Sequence, residues 1–488
     1  MQIHPNSTRF LGFTWVFLNG GEKYYKFLVL PFGLNVGGYI FTKTTRPLVK
    51  KWRAQGVKSI LYIDDGVIGG SSHHTAAASA RLVQTDLQLA GFILNEKKTD
   101  LEPKRQGKWL GFLIDTEKME FKVPPEKVRN LYQKLHRILN ARKTTSKELA
   151  SLAGTLSAMH HAVGPLVRLQ TRAIYAALAR AESWYAQICL DAATLAEIAF
   201  WRDNYNFHSG YSFKPRPVTS KMLFTDASED GYGGFLVKRG GHAVVAGKFG
   251  AIDLTTSSTH RELAAVKYAL QSLTSVLTNE SITIFTDNFS ASRILAVGSS
   301  KSHLQRLAID IFRICLRNNV RLIPQWVPRE LNSIADHYSK LSDTDNWSID
   351  NHSFATLNRK YGPYSIDRFA DNLNTKLNRF NSKYFCPGTS GVNAFTEDWT
   401  EENNWICPPV YLLGSVFRHL RRCHARATVI LPVWQSAYFW PLLYPDGVRI
   451  ANFVKDFYVF QPHFVSGGND KVFVGRPKFR TMALYCQC

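Results

Sequence analysis

The sequence predicts a multidomain chain of mixed α+β and α/β class, and three observations predict it. With 488 residues, 45% of them apolar, the chain exceeds what one hydrophobic core organises, so about three or four domains are expected. Short apolar runs of strand length end in acids or glycines in two separate stretches, around Ser59–Gly70 and from Lys221 to Asp336. Between them, from Pro124 to about Trp201, apolar residues recur at helical spacing, and from Trp347 onward strand and helix patterns alternate again.

Composition narrows the function classes. A formal net charge of +22 and a pI near 9.7 point to a polyanionic partner, most simply nucleic acid. An anionic membrane surface is the rival, but no basic amphipathic anchor helix supports it. No apolar run reaches the roughly 18 residues of a membrane span, and no signal-peptide pattern opens the chain, so an intracellular protein of cytoplasm or nucleus is expected. The seven cysteines (Cys189, Cys315, Cys386, Cys407, Cys423, Cys486 and Cys488) lack paired metal spacing and are expected as reduced thiols.

In chain order, Phe10–Trp15 and Tyr24–Leu30 read as strands joined at Asn19-Gly20-Gly21. After Leu30-Pro31-Phe32-Gly33-Leu34, a helix is predicted through Phe41, Leu48 and Trp52, with Lys43, Arg46, Lys50, Lys51 and Arg53 on or beside it. Ile60–Ile63 and Val67–Ile68 flank Asp64-Asp65-Gly66, a hairpin with two acids at its tip. An Asp-Gly turn is ordinary by itself, but adjacent carboxylates repel unless a hard cation ligates them. A helix over Thr75–Ala90, the segment Gly91–Thr99 and a strand over Lys108–Leu113 follow.

Four boxes, LPFGL, YIDD, GFILNEKKT and WLGFLI, stand here in an order and spacing that resemble the palm of a reverse transcriptase, with the DIRS-like, tyrosine-recombinase retrotransposons as the most similar group. The resemblance implies that Asp64 and Asp65 belong to a metal-binding catalytic box. It places Phe32 and Gly33 against template and nucleotide, and Lys98 near the leaving pyrophosphate. Two-metal polymerisation holds its ions ~3.5–4 Å apart with more carboxylates than one hairpin supplies. In the family a further aspartate precedes an IHP segment, which here is Ile3-His4-Pro5. The first aspartate, its sugar-discriminating neighbour and the fingers are therefore expected to be missing, and no polymerisation by this chain alone is expected.

Val128, Leu131, Leu135, Ile138 and Leu139 predict one helix, and Thr145-Ser146-Lys147-Glu148 predicts the capped start of another. Ser146–Ala162 and Pro165–Leu190 read as a packed helical set carrying Arg168 and Arg172, either a thumb and connection or a plain helical linker, closed by Lys214-Pro215-Arg216-Pro217.

From Lys221 the order is three strands, helix, strand, helix, with a last strand at Leu322–Val327. Asp226 ends the run Met222–Ala227, Gly231, Gly233 and Gly234 loosen the turn into Phe235–Val237, Glu262 opens a helix, Asp287 ends Ser281–Thr286, and Asp336 sits on a short helix after Asn332. Strand-end acids have bland explanations singly; four in one α/β pattern suggest a shared site. TDAS, the REL helix, TDN and NxxAD in this order resemble ribonuclease H. That resemblance implies that Asp226, Glu262, Asp287 and Asp336 bind two Mg²⁺ or Mn²⁺ ions and cut the RNA of RNA–DNA hybrids. Thr286 and Asn288 are expected to buttress Asp287 or touch substrate. Many ribonucleases H carry a histidine in the loop before the last aspartate; Val327-Pro328-Arg329-Glu330-Leu331 has none, and His337 lies on the wrong side of Asp336.

The C-terminal part resembles the methyltransferase-like region that follows ribonuclease H in DIRS-like elements. Tyr361–Ala370 reads as its first strand and Ala427–Trp434 as a buried strand of a parallel sheet. Trp405-Ile406-Cys407-Pro408-Pro409-Val410 stands where adenine methyltransferases carry an Asp/Asn-Pro-Pro-aromatic box. Cys407 and Val410 supply neither the polar acceptor nor the stacking ring, and no glycine-rich loop precedes Asp367, so a structural or nucleic-acid-holding role is expected over methyl transfer. Arg476–Cys488 reads as a truncated or frame-altered end. The expected domains are a partial palm over 1–118, a helical thumb or connection over 119–218, a ribonuclease H-like domain over 219–345 and a C-terminal α/β domain over 346–488. A non-catalytic, basic nucleic-acid-binding remnant is the alternative. The partners implied are RNA–DNA hybrid, RNA and DNA, with no membrane; the oligomeric state is open.

Overall fold

The computed structural model describes residues 2–204, 211–213, 221–341, 345–466 and 472–488. The chain forms two compact units, one of 1–143 with 154–164 and 198–214, the other of 144–153 with 165–197 and 215–488. The helical stretch expected at 119–218 is thus distributed over both, and its closing segment Lys214–Pro217 lies outside the described residues. No helix among the described residues is long and apolar enough to cross a membrane.

In the first unit, Gly12–Val16 and Glu22–Lys26 pair antiparallel around Asn19-Gly20-Gly21. Helix Gly37–Ala54 buries Trp52 completely; the Trp52 indole N–H donates to Asp86 Oδ2 (2.8 Å) and Lys51 Nζ to Asp86 Oδ1 (2.9 Å), fastening it to helix His73–Leu89. That second helix starts on a Ser72/Thr75 capping box. Lys58–Tyr62 and Asp65–Gly69 form the expected hairpin. The predicted single strand over Lys108–Leu113 is instead two, Gln106–Trp109 and Phe112–Asp115. Leu110 and Gly111, at φ 46° and 77°, make the two-residue turn between them, since positive φ at both positions matches the strand twist.

Helix Pro125–Ala141 buries Leu131, Leu135 and Ile138, three of its five predicted apolar positions. In the second unit, the Thr145 hydroxyl accepts from the Glu148 N–H (3.2 Å), capping helix Ser146–Ala158 as expected. The predicted helical set over Pro165–Leu190 is broken by a strand, Gln187–Cys189, paired with Lys143–Thr145. The reason lies in unsatisfied first-turn amides: Ser146 N–H donates to the Ala186 carbonyl (3.1 Å) and Lys147 N–H to that of Trp184 (2.9 Å), so the chain returns beside the helix start.

From Lys221 a five-stranded sheet forms in the order β3-β2-β1-β4-β5, from β1 (Lys221–Ala227), β2 (Gly231–Lys238), β3 (Gly241–Lys248), β4 (Ser281–Thr286) and β5 (Arg321–Trp326). The first three strands are antiparallel neighbours, while β1, β4 and β5 run parallel. Helices α1 (Ser258–Ser272), α2 (Phe289–Val297), α3 (Ser302–Arg317) and α4 (Ser333–Ser339) complete the domain. Leu223, Leu236, Leu263, Val266, Leu270, Ile284 and Ile311 share one buried core. Pro324 is tolerated within β5 because that strand is an edge. The opposite edge, β3, is covered by the Phe385 backbone, whose N–H donates to the Val244 carbonyl (3.0 Å) and whose carbonyl accepts from Ala246 (3.3 Å).

Gly231 and Gly233 do not loosen a turn, as the sequence suggested; both lie within β2. A Cβ at Gly233 would strike the backbone of Ser339 and Ala335, and one at Gly231 the Ser339 carbonyl, so these glycines exist to let α4 approach β2.

The C-terminal residues form a second five-stranded sheet, ordered β6-β7-β8-β10-β9, from β6 (Ile366–Asp367), β7 (Asn403–Ile406), β8 (Arg426–Pro432), β9 (Val454–Phe460) and β10 (Thr481–Gln487). The strand expected over Ala427–Trp434 is found as β8 and is buried, but the sheet is mixed: β6, β7 and β8 are parallel, whereas β10 is antiparallel to β8. Arg368 ties this sheet together from inside. Its Nε donates to Asn404 Oδ1 (2.7 Å), Nη1 to Asn381 Oδ1 (2.8 Å) and Nη2 to the Asp398 carbonyl (3.1 Å). Arg368→Met leaves the buried Asn404 and Asn381 oxygens unpaired and is expected to destabilise the second unit by about 3 kcal/mol, read as a lower denaturation midpoint with an unchanged slope.

Candidate metal centre

Parallel strands with a common register end at a common level. Phe224 pairs with Phe285, so Asp226 near the end of β1 and Asp287 just past β4 emerge side by side. Glu262 enters from the first turns of α1, on the face that also buries Leu263, Ala265 and Val266. Asp226, Glu262 and Asp287 each bring an oxygen within 4.8 Å of the others, and theirs is the one such grouping among the described residues.

The electrostatics are those of a site short of positive charge. Burial, then the charges of Asp226 and Asp287, push the Glu262 carboxyl up to about 9, despite hydrogen bonds from the Thr286 hydroxyl and the Ala227 N–H. Asp226 is raised as well, by burial and then by Asp287 and Asp336, against a 2.7 Å hydrogen bond from the Ser339 hydroxyl. Glu262 Oε2 is buried with no hydrogen-bond partner. Three converging carboxylates with one oxygen left unpartnered fit a hard, oxygen-seeking cation such as Mg²⁺ or Mn²⁺.

In the metal-free protein Glu262 links stability to pH. A carboxyl with a folded value near 9 and an unfolded value near 4.5 binds more protons folded than unfolded between those limits, so stability falls as pH rises through that window. Glu262→Gln is expected to remove this share of the slope and to melt higher than the parent at pH 9 in a chelator. Glu197 and Asp367, both raised to about 7 chiefly by burial, contribute equally to parent and variant and cancel in the difference.

The structure separates the fourth predicted acid from the other three. Asp336 on α4 is engaged by two cations: its Oδ1 accepts from Arg329 Nη2 (3.2 Å) and Lys340 Nζ (2.7 Å), and its Oδ2 from Lys340 Nζ (2.6 Å). The bond from Lys340, then that from Arg329, holds its carboxyl below the usual range. Asp336 is nevertheless near enough to raise Asp226.

Thr286 serves Glu262 rather than Asp287, and its oxygen also accepts from the Asn288 N–H (3.1 Å). Asn288 caps α2, its Oδ1 accepting from the Ala291 N–H (2.9 Å), so that oxygen is held by the fold rather than presented to substrate. Sequence reasoning missed Ser339, although it lies three residues after Asp336 on one helical face. The motifs REL and NxxAD contain Arg261 and Asn332 without showing what they do, which is to anchor this edge: Asn332 Nδ2 donates to the Thr225 carbonyl (3.0 Å), and Arg261 Nε to the Ser228 carbonyl (3.1 Å). His337 is exposed, its ring against Tyr338.

In the first unit the paired acids sit differently from expectation. Tyr62 pairs with Asp65, so the hairpin tip is Ile63-Asp64 and Asp65 already belongs to the second strand. Ile63 carries the strain, with φ at 55°, unusual for a β-branched residue. Asp64 and Asp65 are exposed, and no third acid, histidine or cysteine joins them among the described residues. Phe32 is fully exposed, Gly33 adopts φ 91°, and Lys98 lies exposed in the segment after helix His73–Leu89.

Residues 3–114 match the family described as reverse transcriptase (RNA-dependent DNA polymerase), and residues 217–312 match the RNase H-like domain found in reverse transcriptase. Asp226, Glu262 and Asp287 lie within the second match and Asp336 beyond it. No curated protein sequence matches the chain. Similar solved structures include a foamy viral protease-reverse transcriptase with double-stranded DNA and the same kind of protein with an RNA/DNA hybrid, each at 18% identity and TM-score 0.38 over 67% of this chain. The chain spans 64% and 42% of their respective lengths. The chain thus carries, in series, a segment that matches the reverse transcriptase family and one that matches its RNase H-like domain, an order consistent with a retroelement polyprotein.

Proposed function

We propose that this chain is part of a DIRS-like retroelement polyprotein whose ribonuclease H-like domain, over 219–345, hydrolyses the RNA strand of RNA–DNA hybrids using two Mg²⁺ or Mn²⁺ ions. The observation that carries the reading is the convergence of Asp226, Glu262 and Asp287 within 4.8 Å, with Glu262 Oε2 buried and unpartnered. Bound divalent ions would supply an activated water and charge stabilisation at the leaving 3′ oxygen. The chain's own residues fix the geometry. Asp226 and Asp287 are set by strand register, Glu262 by α1 and the Thr286 hydroxyl, and Asp226 is further oriented by Ser339. Asp336 would join as a ligand once freed of its cations. The net charge of +22 supports binding to the hybrid backbone.

Asp64 and Asp65, with Phe32, Gly33 and Lys98 as candidate substrate contacts, are proposed as part of a polymerase site whose two-metal chemistry needs carboxylates beyond this hairpin. The parallel strands β6, β7 and β8 support a methyltransferase-like ancestry for 346–488. A cleft of about 400 Å³, lined by Asp345, the buried rings of Trp347 and Phe473 and the exposed rings of Tyr411 and Tyr438, offers those two tyrosines for stacking and suits holding nucleic acid rather than methyl transfer. Cytoplasm or nucleus is the proposed location.

The test is cleavage of a labelled hybrid by the full chain in Mg²⁺ or Mn²⁺. Metal-dependent cutting supports the reading. Salt-sensitive binding without cutting in either metal favours a non-catalytic nucleic-acid-binding remnant instead.

A further inference from the structure

The backbone that carries Asp336 is pinned at both ends. Asn332, buried, holds the turn before α4 to β1 through the Thr225 carbonyl (3.0 Å). At the other end the Ser228 hydroxyl donates to the Ser339 carbonyl (2.7 Å), and Gly231 and Gly233 allow close contact with β2. What remains movable is a set of side chains on the surface: Arg329 is 70% exposed and Lys340 53%, whereas Asp336 is 22% exposed. Both carboxylate oxygens of Asp336 are taken by these two cations. These cations occupy three of the carboxylate's roughly four acceptor sites, and a divalent ion arriving while they stay in place is repelled by their charge. A phosphodiester backbone offers Arg329 and Lys340 a competing anion, and arginine matches phosphate with a bidentate fork.

We propose that Arg329 and Lys340 form a substrate-sensitive clamp on Asp336: they hold it away from the metal centre until the hybrid's phosphates draw them off, so that full metal loading follows substrate binding. Arg329 and Lys340 are positioning residues in this scheme. It rests on the ribonuclease H reading above. Because coupling between two ligands is reciprocal, the hybrid tightens the last ion to bind and that ion tightens the hybrid.

The experiment counts Mn²⁺ bound to the full chain by electron paramagnetic resonance of the free ion, without reference to activity. Asp64→Asn and Asp65→Asn are built into every sample, and the hybrid carries a 2′-O-methylated RNA strand as an uncut stand-in. The parent is expected to bind one ion alone and a second with the hybrid. The Arg329→Ala/Lys340→Ala variant is expected to take the second ion without hybrid, with roughly tenfold higher affinity than the parent. Arg329→Lys, which keeps the charge, is expected to retain the coupling. Both ions binding to the free parent, or a second ion bound no better by the double variant, overturns the clamp. A further variant separates that failure from failure of the site: if Asp287→Asn binds as many ions as the parent, the metal centre itself is misassigned. Both exchanged cations are exposed, so an unaltered melting temperature is expected.

Discussion

Asp287→Asn is expected to lower metal-dependent hybrid cleavage by roughly 10³-fold or more, the several kcal/mol that metal-borne charge stabilisation supplies. The substitution keeps shape and removes a ligand. Asp287 also contributes structure, but through its backbone: the Trp326 indole N–H donates to its carbonyl (2.9 Å), a bond the side chain does not touch. Removing its charge relieves Glu262 and Asp226, both of which it raises. Stability is therefore expected to hold or to rise slightly. Loss of cleavage with an unchanged melting temperature is the supporting outcome. Cleavage that persists at the parent's rate would falsify the assignment.

Gly233→Val is expected to act through packing instead. Its side chain cannot coexist with the Ser339 and Ala335 backbone, so α4 must move off β2. Forced overpacking costs about 1–3 kcal/mol. The displacement also breaks the Ser339–Asp226 hydrogen bond and carries Asp336 away, and a shift on the order of 1 Å near a catalytic centre can cost about 10²-fold in rate. A variant that melts lower and cleaves about 10²-fold more slowly supports this account. Full activity at normal stability would show that α4 does not position the site.

Much of this was legible beforehand because the signals are local. The apolar run Met222–Ala227 ending at an acid, the helical spacing of Leu131, Leu135 and Ile138, and the cap at Thr145 each depend on a few neighbouring residues, and each was found in place. The misreadings share a different cause. Leu110-Gly111 reads as the middle of an apolar run, yet the chain turns there. Gln187–Cys189 lies in a helical pattern, yet the amides of a distant helix start recruit the chain beside it as a strand. Gly231 and Gly233 read as a flexible turn because glycine reports a need for space without saying which element fills it.

The sequence by itself determined the order of the elements and which residue types stand at strand ends, because apolar periodicity and turn chemistry are written within a few residues. It therefore named Asp226, Glu262, Asp287 and Asp336 as one set. Only the tertiary structure decided that three of them converge while the fourth is held by Arg329 and Lys340. It also decided that Thr286 serves Glu262 and that Asn288 is a helix cap. The physical reason is one of range. Strand and helix propensities act between near neighbours, whereas a carboxylate's partner is chosen among all the cations and metal positions that the folded chain brings within a few ångströms.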